Sequence, residues 1–277
     1  MRNKFKKLIK YCILGKDYER KVQSAYEEAL HNARASYLDM LIKVICGSVY
    51  RDSSTLRGEV KAYDPETREF GWDWPTRAHS MIGMKRLQNV RLLAESVLGN
   101  AVPGDFIETG VWRGGASILM RAVLHIYGAR DRRVFVADSF EGLPPPDVEA
   151  YPADAGSSFH EYAELAVPLE EVQANFAAYD LLDEQVVFLK GWFKDTLPGI
   201  QAERLALIRL DGDMYESTMD GLVHLYDKLS VGGYVIVDDY HVVPQCKQAV
   251  RDFCAARRFS PVMEEIDGVG TYWKKQP

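Results

Sequence analysis

The chain has 277 residues, of which 47% are hydrophobic, 11% aromatic and 27% charged, with a net charge of −6. These are globular proportions and exclude wholesale disorder, and the acidic balance excludes a generally basic nucleic-acid binder. No apolar run approaches the roughly 18 residues of a membrane span, and Cys12, Cys46, Cys246 and Cys254 form no C-x-x-C pair, which argues against a zinc or disulfide framework and fits a reducing, cytoplasmic compartment.

The charge is unevenly spread. Residues 1–21 hold eight Lys/Arg against Asp17 and Glu19, so they carry +6 and leave −12 to the rest. Lys10 interrupts the only apolar stretch there, so this start does not read as a secretory signal. A basic amphipathic segment of this kind either touches an anionic membrane surface, packs on another subunit or is simply solvated.

In chain order, residues 1–50 read as helical. Phe5, Leu8, Ile9 and Cys12, and again Tyr37, Met40, Leu41 and Val44, keep the i, i+3, i+4, i+7 spacing, with a polar, Ala-rich stretch between. Residues 51–75 are broken by Asp64-Pro65 and Trp74-Pro75, so 1–75 reads as a helical appendage to a main domain at 76–277. A helical pattern runs from Thr76 to about Leu98 and ends at Gly99-Asn100. Strands and helices then alternate. The strands are expected at Phe106–Thr109, Arg133–Ala137, Gln185–Leu189, Leu205–Leu210 and Tyr234–Val237, with a closing hairpin, Pro261–Ile266 and Thr271–Lys274, around Asp267-Gly268. The fold class is therefore α/β, a mostly parallel seven-stranded sheet with an antiparallel C-terminal hairpin. A long insertion near 145–180 reads as a lid.

Open α/β sheets bind ligands at the carboxyl ends of their strands. The first strand ends in Glu108-Thr109-Gly110-Val111-Trp112-Arg113-Gly114-Gly115, where glycines permit close approach of a ligand to the backbone. It lacks the G-x-G-x-x-G spacing that cradles a pyrophosphate. The second ends in Asp138-Ser139-Phe140, an acid placed either to meet a ribose diol or to serve as a turn residue. A nucleoside site without a diphosphate cradle favours S-adenosylmethionine over NAD. Trp192 or Phe193, after the third strand, can flank an adenine or pack in the core.

The fourth and fifth strands end in Asp211-Gly212-Asp213 and Asp238-Asp239-Tyr240-His241. Up to four carboxylates thus converge, which is unfavourable unless a cation neutralises them. Oxygen ligands at an incomplete site suit Mg²⁺. Ordinary turn chemistry also accounts for Asp and Gly at these places. Such an ion, acting as a Lewis acid, would ease the loss of a proton from an oxygen bound to it, the proton passing to an aspartate.

At these segments the sequence resembles the macrocin O-methyltransferase family, which is Mg²⁺- and S-adenosylmethionine-dependent and methylates sugars of natural products. The matching stretches are YLDMLIKVICGSVYRD (37–52), DWPTRAHSMIGMKRLQN (73–89), FIETGVWRGGAS (106–117), VADSFEGLP (136–144), GWFKDTLP (191–198), LDGDMYESTMD (210–220) and VDDY (237–240). The resemblance implies a class I, Rossmann-like methyltransferase fold with a helical lid. It implies cofactor contacts at Ser80, Met81, Glu108, Thr109, Gly110, Trp112 and Ser117, at Asp138, Ser139 and Phe140, and at Gly191 and Trp192. It implies metal ligands at Asp211, Asp238 and Asp239, with Asp211 also the catalytic base; Asp213 and His241 stand in reserve for that role. A lysine base of the catechol-methyltransferase type is absent, because its position is Met214. The family also implies a homo-oligomer, a dimer or tetramer, acting on a small glycoside or saccharide. The competing readings are an NAD(P)-dependent nucleotide-sugar dehydrogenase or epimerase, and a non-catalytic cofactor-binding module.

Overall fold

The computed structural model describes residues 2–56 and 58–277, with side chains from Tyr18 onward. Two compact units emerge, one ending at Met40 and the other Leu41–Pro277. Residues 41–75, which the sequence reading groups with the appendage, belong to the unit that holds the sheet. Helix α1 (Arg2–Ile45) forms the first unit and continues into the second. The polar stretch inside it is helical as well, since no Gly or Pro interrupts residues 17–45 and Gln23 bonds Glu27 one turn on. Most of the basic segment 1–21 lies outside the described side chains.

In the second unit, β1 (Ser54–Leu56) and β2 (Glu59–Lys61) pair antiparallel. Helix α2 (Pro65–Phe70) starts at Asp64, whose carboxylate accepts the Thr67 N–H at 2.7 Å, and stops at Gly71 in a left-handed conformation. Helix α3 (Gly83–Gly99) begins seven residues later than the apolar pattern predicts. The N–H groups that would extend it are engaged elsewhere: Arg77 and Ala78 donate to the Asp52 carboxylate at 2.7 and 2.8 Å, and His79 and Ser80 to the Ile45 carbonyl at 2.9 and 3.2 Å. Residues 76–82 are thus an ordered irregular segment.

The alternation follows as β3 (Asp105–Thr109), α4 (Gly115–Tyr127), β4 (Val134–Asp138), α5 (Leu169–Ala178), β5 (Val186–Lys190), α6 (Phe193–Thr196), β6 (Leu205–Leu210), α7 (Tyr215–Leu225), β7 (Leu229–Val237), α8 (Pro244–Ala256), β8 (Glu264–Glu265) and β9 (Thr271–Lys274). The seven-stranded sheet has the order β5-β4-β3-β6-β7-β9-β8, with parallel pairing except that β9 runs antiparallel to both its neighbours, β7 and β8. Every residue of β3 and β6 is buried, as strands covered on both faces require. The last hairpin is shorter than expected, because only Glu264 and Glu265 of its first arm pair. The chain winds outward in one direction from β3 through β4 to β5 and in the other from β6 to β7. The β3/β6 boundary is therefore the switch point where such sheets open a crevice. No helix among the described residues is long and apolar enough to cross a membrane.

Candidate active site

A cavity of about 390 Å³ opens at the carboxyl ends of β3, β4, β6 and β7. The tips of β3 and β6 touch there because Gly110 has no side chain: at φ 84°, a Cβ would lie 1.9 Å from the Asp211 carbonyl oxygen. Three non-glycine residues in the strand-tip loops, Trp112, Phe140 and Asp213, also adopt positive φ. Strained backbone of this kind concentrates at functional loops.

On the β3–β4 side the wall includes Ser80, Met81, Glu108, Gly110, Trp112, Asp138 and Ser139, joined by Gly191 and Trp192 from the loop after β5. Thr109, Ser117 and Phe140 do not line the cavity and stand behind it. Ser117 donates to Glu108 Oε2, and the Phe140 N–H donates to Asp138 Oδ1 at 2.7 Å. Asp138 Oδ2 accepts the Val111 N–H at 2.7 Å, so this carboxylate fixes the glycine-rich turn while it faces the cavity. Burial pushes the Asp138 carboxyl up, and those backbone donors oppose the shift.

The insertion is docked at three points. Trp112 Nε1 donates to the Glu164 carbonyl at 2.8 Å, Trp74 meets Tyr162 edge-on at 5.3 Å, and buried Asp154 accepts the Tyr215 and Glu216 N–H groups at 2.7 and 3.0 Å. Asp154 thereby caps α7 from a distant segment.

The β6–β7 side is dense in charge. Asp211, Asp213, Asp238 and Asp239 all line the cavity. One oxygen from each of Asp211, Asp238 and Asp239 lies within 4.8 Å of the others. Two buried arginines reach into this group. Arg209 bonds Glu108 Oε1, Asp211 Oδ2 (2.8 Å) and Asp238 Oδ1. Arg86 bonds Asp238 Oδ2 and, at 3.1 Å, Asp267 Oδ2. The sequence argument credits a cation alone with making these acids tolerable, whereas the fold supplies part of the countercharge itself. The two guanidinium groups do not balance the set.

Burial works against an ionised Asp238, but Arg209 and Arg86 outweigh it and hold the group below the ordinary carboxylate range. Burial and then the neighbouring acids push Asp213 up to about 7 and Asp239 well above its usual value. Asp239 Oδ2 is buried with no hydrogen-bond partner among the described residues. An orphaned carboxylate oxygen amid surplus acids fits a divalent cation with oxygen ligands. On the cofactor side, burial pushes Glu108 up to about 7 against the pull of Arg209 and Ser117.

His241 is exposed and does not line the cavity, although its neighbours Val242 and Val243 do. Sequence reasoning missed Arg86, Arg209 and Asp154. Arg209 left a signal: a lone arginine inside the otherwise apolar run LALIRL, in a strand covered on both faces, needs buried acids to meet it. Arg86 left one too, since it lies on the stripe shared by Leu87, Val90 and Leu93 that α3 buries. Asp154 left none, because its partners are 61 and 62 residues away.

The chain is similar to several known proteins over most of its length. A family profile described as macrocin O-methyltransferase matches residues 4–275. A demethyldecarbamoylnovobiocin O-methyltransferase of Streptomyces niveus is 52% identical over 243 residues, 86% of this chain and 93% of the relative. An 8-demethyl-8-(2,3-dimethoxy-alpha-L-rhamnosyl)-tetracenomycin-C 4'-O-methyltransferase of Streptomyces olivaceus is 51% identical over 248 residues, 88% of this chain and 94% of the relative. The solved structure of the O-methyltransferase NovP superposes with a TM-score of 0.85 at 51% identity, covering 88% of this chain and 100% of that one.

Proposed function

Since the chain belongs to the macrocin O-methyltransferase family, and is thereby an S-adenosylmethionine-dependent O-methyltransferase, we propose that it methylates a sugar hydroxyl of a glycosylated natural product with Mg²⁺ held by Asp211, Asp238 and Asp239. One observation carries the metal reading: three carboxylates within reach of one ion, one of them with an oxygen that has no hydrogen-bond partner among the described residues.

S-adenosylmethionine, when bound, supplies a sulfonium methyl group that passes to the acceptor oxygen and leaves the neutral thioether S-adenosylhomocysteine. Mg²⁺, when bound, supplies Lewis acidity that makes the hydroxyl proton easier to lose. The protein's own work is placement and proton transfer. Ser80, Met81, Glu108, Gly110, Trp112, Asp138, Ser139, Gly191 and Trp192 form the cofactor's side of the cavity, supported from behind by Thr109, Ser117 and Phe140. Asp211 takes the proton; Arg209 fixes its Oδ2, so the carboxylate has one orientation toward the acceptor. Asp213 is the reserve base, and exposed His241 is less suited by position. The docked insertion excludes water from the reacting atoms. Buried free thiols at Cys46, Cys246 and Cys254 support a cytoplasmic setting. Exposed Tyr18, Val22 and Tyr26 along α1 support a homo-oligomer.

The test is methyl transfer from labelled S-adenosylmethionine to a panel of deoxysugar glycosides. The expected result is transfer with Mg²⁺ that stops with a chelator and returns when the ion is restored. No transfer to any glycoside contradicts the acceptor class, and transfer indifferent to chelation contradicts the metal.

A further inference from the structure

Beyond the acids, the cavity wall runs onto an aromatic surface that neither the cofactor residues nor the metal site uses. Trp72 lines the cavity, yet the residue is 62% exposed. A lone exposed indole means little by itself. Trp72 differs in how firmly it is held. Its ring stacks on Phe70 with centroids 4.8 Å apart and planes 23° from parallel, and the Lys85 ammonium sits 3.7 Å from the Phe70 centroid. Between the two aromatics, Gly71 turns in a left-handed conformation against α3, where a Cβ would come within 2.4 Å of the Ile82 backbone.

The same loop is tied to the acids. Arg86 Nη2 donates to the carbonyls of Phe70 and Gly71 at 3.1 and 3.3 Å, while its Nη1 bonds Asp238. A single buried guanidinium therefore sets how far the indole lies from the carboxylate cluster. Trp74, Val242 and Val269 add further apolar surface to the same cavity. A ligand that reaches from the acids to Trp72 meets charge at one end and a flat apolar face at the other.

We propose that Trp72 is the platform on which the acceptor's aglycone lies, and that this aglycone is an apolar ring system with a flat face. The proposal rests on the glycoside reading above and assigns the part of the substrate that the acids do not touch. Trp72, Phe70 and Lys85 act on affinity and on the choice of acceptor. They do not touch the reacting atoms.

The experiment is calorimetry on the full chain saturated with S-adenosylhomocysteine and Mg²⁺. The probes are demethyldecarbamoylnovobiocin, whose aglycone carries a planar coumarin, and the methyl glycoside of the same sugar. The expected result is that the coumarin glycoside binds at least tenfold more tightly. Trp72→Ala should remove most of that advantage, roughly tenfold, and Trp72→Phe should keep a good part of it. Because the indole is exposed, both variants should fold, and their S-adenosylhomocysteine affinity checks this. Equal affinity of the two probes in the unmodified chain, absence of binding by both, or an unchanged advantage in Trp72→Ala each overturns the platform. So does an altered oligomeric state in Trp72→Ala with the advantage intact, since the indole would then be a subunit contact. Methyl transfer to the two probes is scored separately. A Trp72-dependent affinity without transfer contradicts the glycoside-methylation reading and leaves the platform standing, whereas transfer without a Trp72 effect does the reverse.

Discussion

The two sides of the cleft handle buried carboxylates in opposite ways. On the β4 side, Asp138 is satisfied by local backbone: the N–H groups of Val111 and Phe140 occupy its oxygens, and the acid doubles as the staple of its own loop. On the β6–β7 side, the acids face one another, lean on Arg209 of β6 and Arg86 of α3, and still leave Asp239 Oδ2 without a partner among the described residues. The first side is complete as built. The second is a charged frame with room for a cation, and its stability and its chemistry are therefore coupled.

The largest effect should come from removing the frame's own countercharge. Arg209→Met leaves Glu108, Asp211 and Asp238 without their shared partner, and stripping one side of a buried ion cluster costs about 3–5 kcal/mol. Urea unfolding should show that loss, and the double variant with Glu108→Gln should recover part of it. Equal stability of Arg209→Met and the unmodified chain would mean that the acids are already protonated.

Next in size is Asp239→Asn, which removes an acid but not an arginine partner. Stability should hold or rise, because burial and like charges already disfavour the ionised form. Methyl transfer should fall by about a hundredfold or more, the scale of losing electrostatic stabilisation at a developing charge. Loss of both stability and activity would contradict the division between frame and chemistry. A smaller effect is expected across the cleft. Asp138→Asn weakens two backbone hydrogen bonds and should loosen S-adenosylhomocysteine roughly tenfold, with no change in Mg²⁺ affinity.

The smallest effect lies where the irregular segment 76–82 meets α5. His79 Nδ1 pairs with the Tyr179 hydroxyl at 2.8 Å, and burial, helped by Arg113, holds the imidazole below its ordinary value. The unfolded chain then binds that proton more readily than the folded one. The contribution of His79 to stability should be full above about pH 6.5 and decline as pH falls toward the lower folded value, against the opposite trend of the raised Glu108 and Asp213 carboxyls. In thermal melts between pH 7.5 and 5.5, His79→Gln should therefore gain stability relative to the unmodified chain as pH falls. An identical slope in the two proteins would remove His79 from the account.

Much of the β3–β4 side was legible in the sequence, because glycines and acids at strand ends report local backbone needs. The acids of β6 and β7 were legible for the same reason. Their arginines were legible only as buried cations in need of acids; the partner of Arg86 was not, since Arg86 and Asp238 are 152 residues apart and only the packing of α3 against the end of β7 brings them together. The start of α3 was misjudged because apolar periodicity says nothing about where an N–H is spent, and Asp52 and Ile45 capture those of residues 77–80. His241 follows Asp239 in sequence, yet a turn after β7 leaves it outside the cavity wall.

The most direct test of the charged frame is a Mg²⁺ titration followed by calorimetry, on the unmodified chain and on the variant carrying Asp238→Ala and Asp239→Ala, both with S-adenosylhomocysteine bound. The account predicts one ion per chain in the first and none in the second, with cofactor affinity kept in both. Equal Mg²⁺ binding by the two proteins, or no binding by either, would show that the arginines alone neutralise these acids and that the metal has no place in the site.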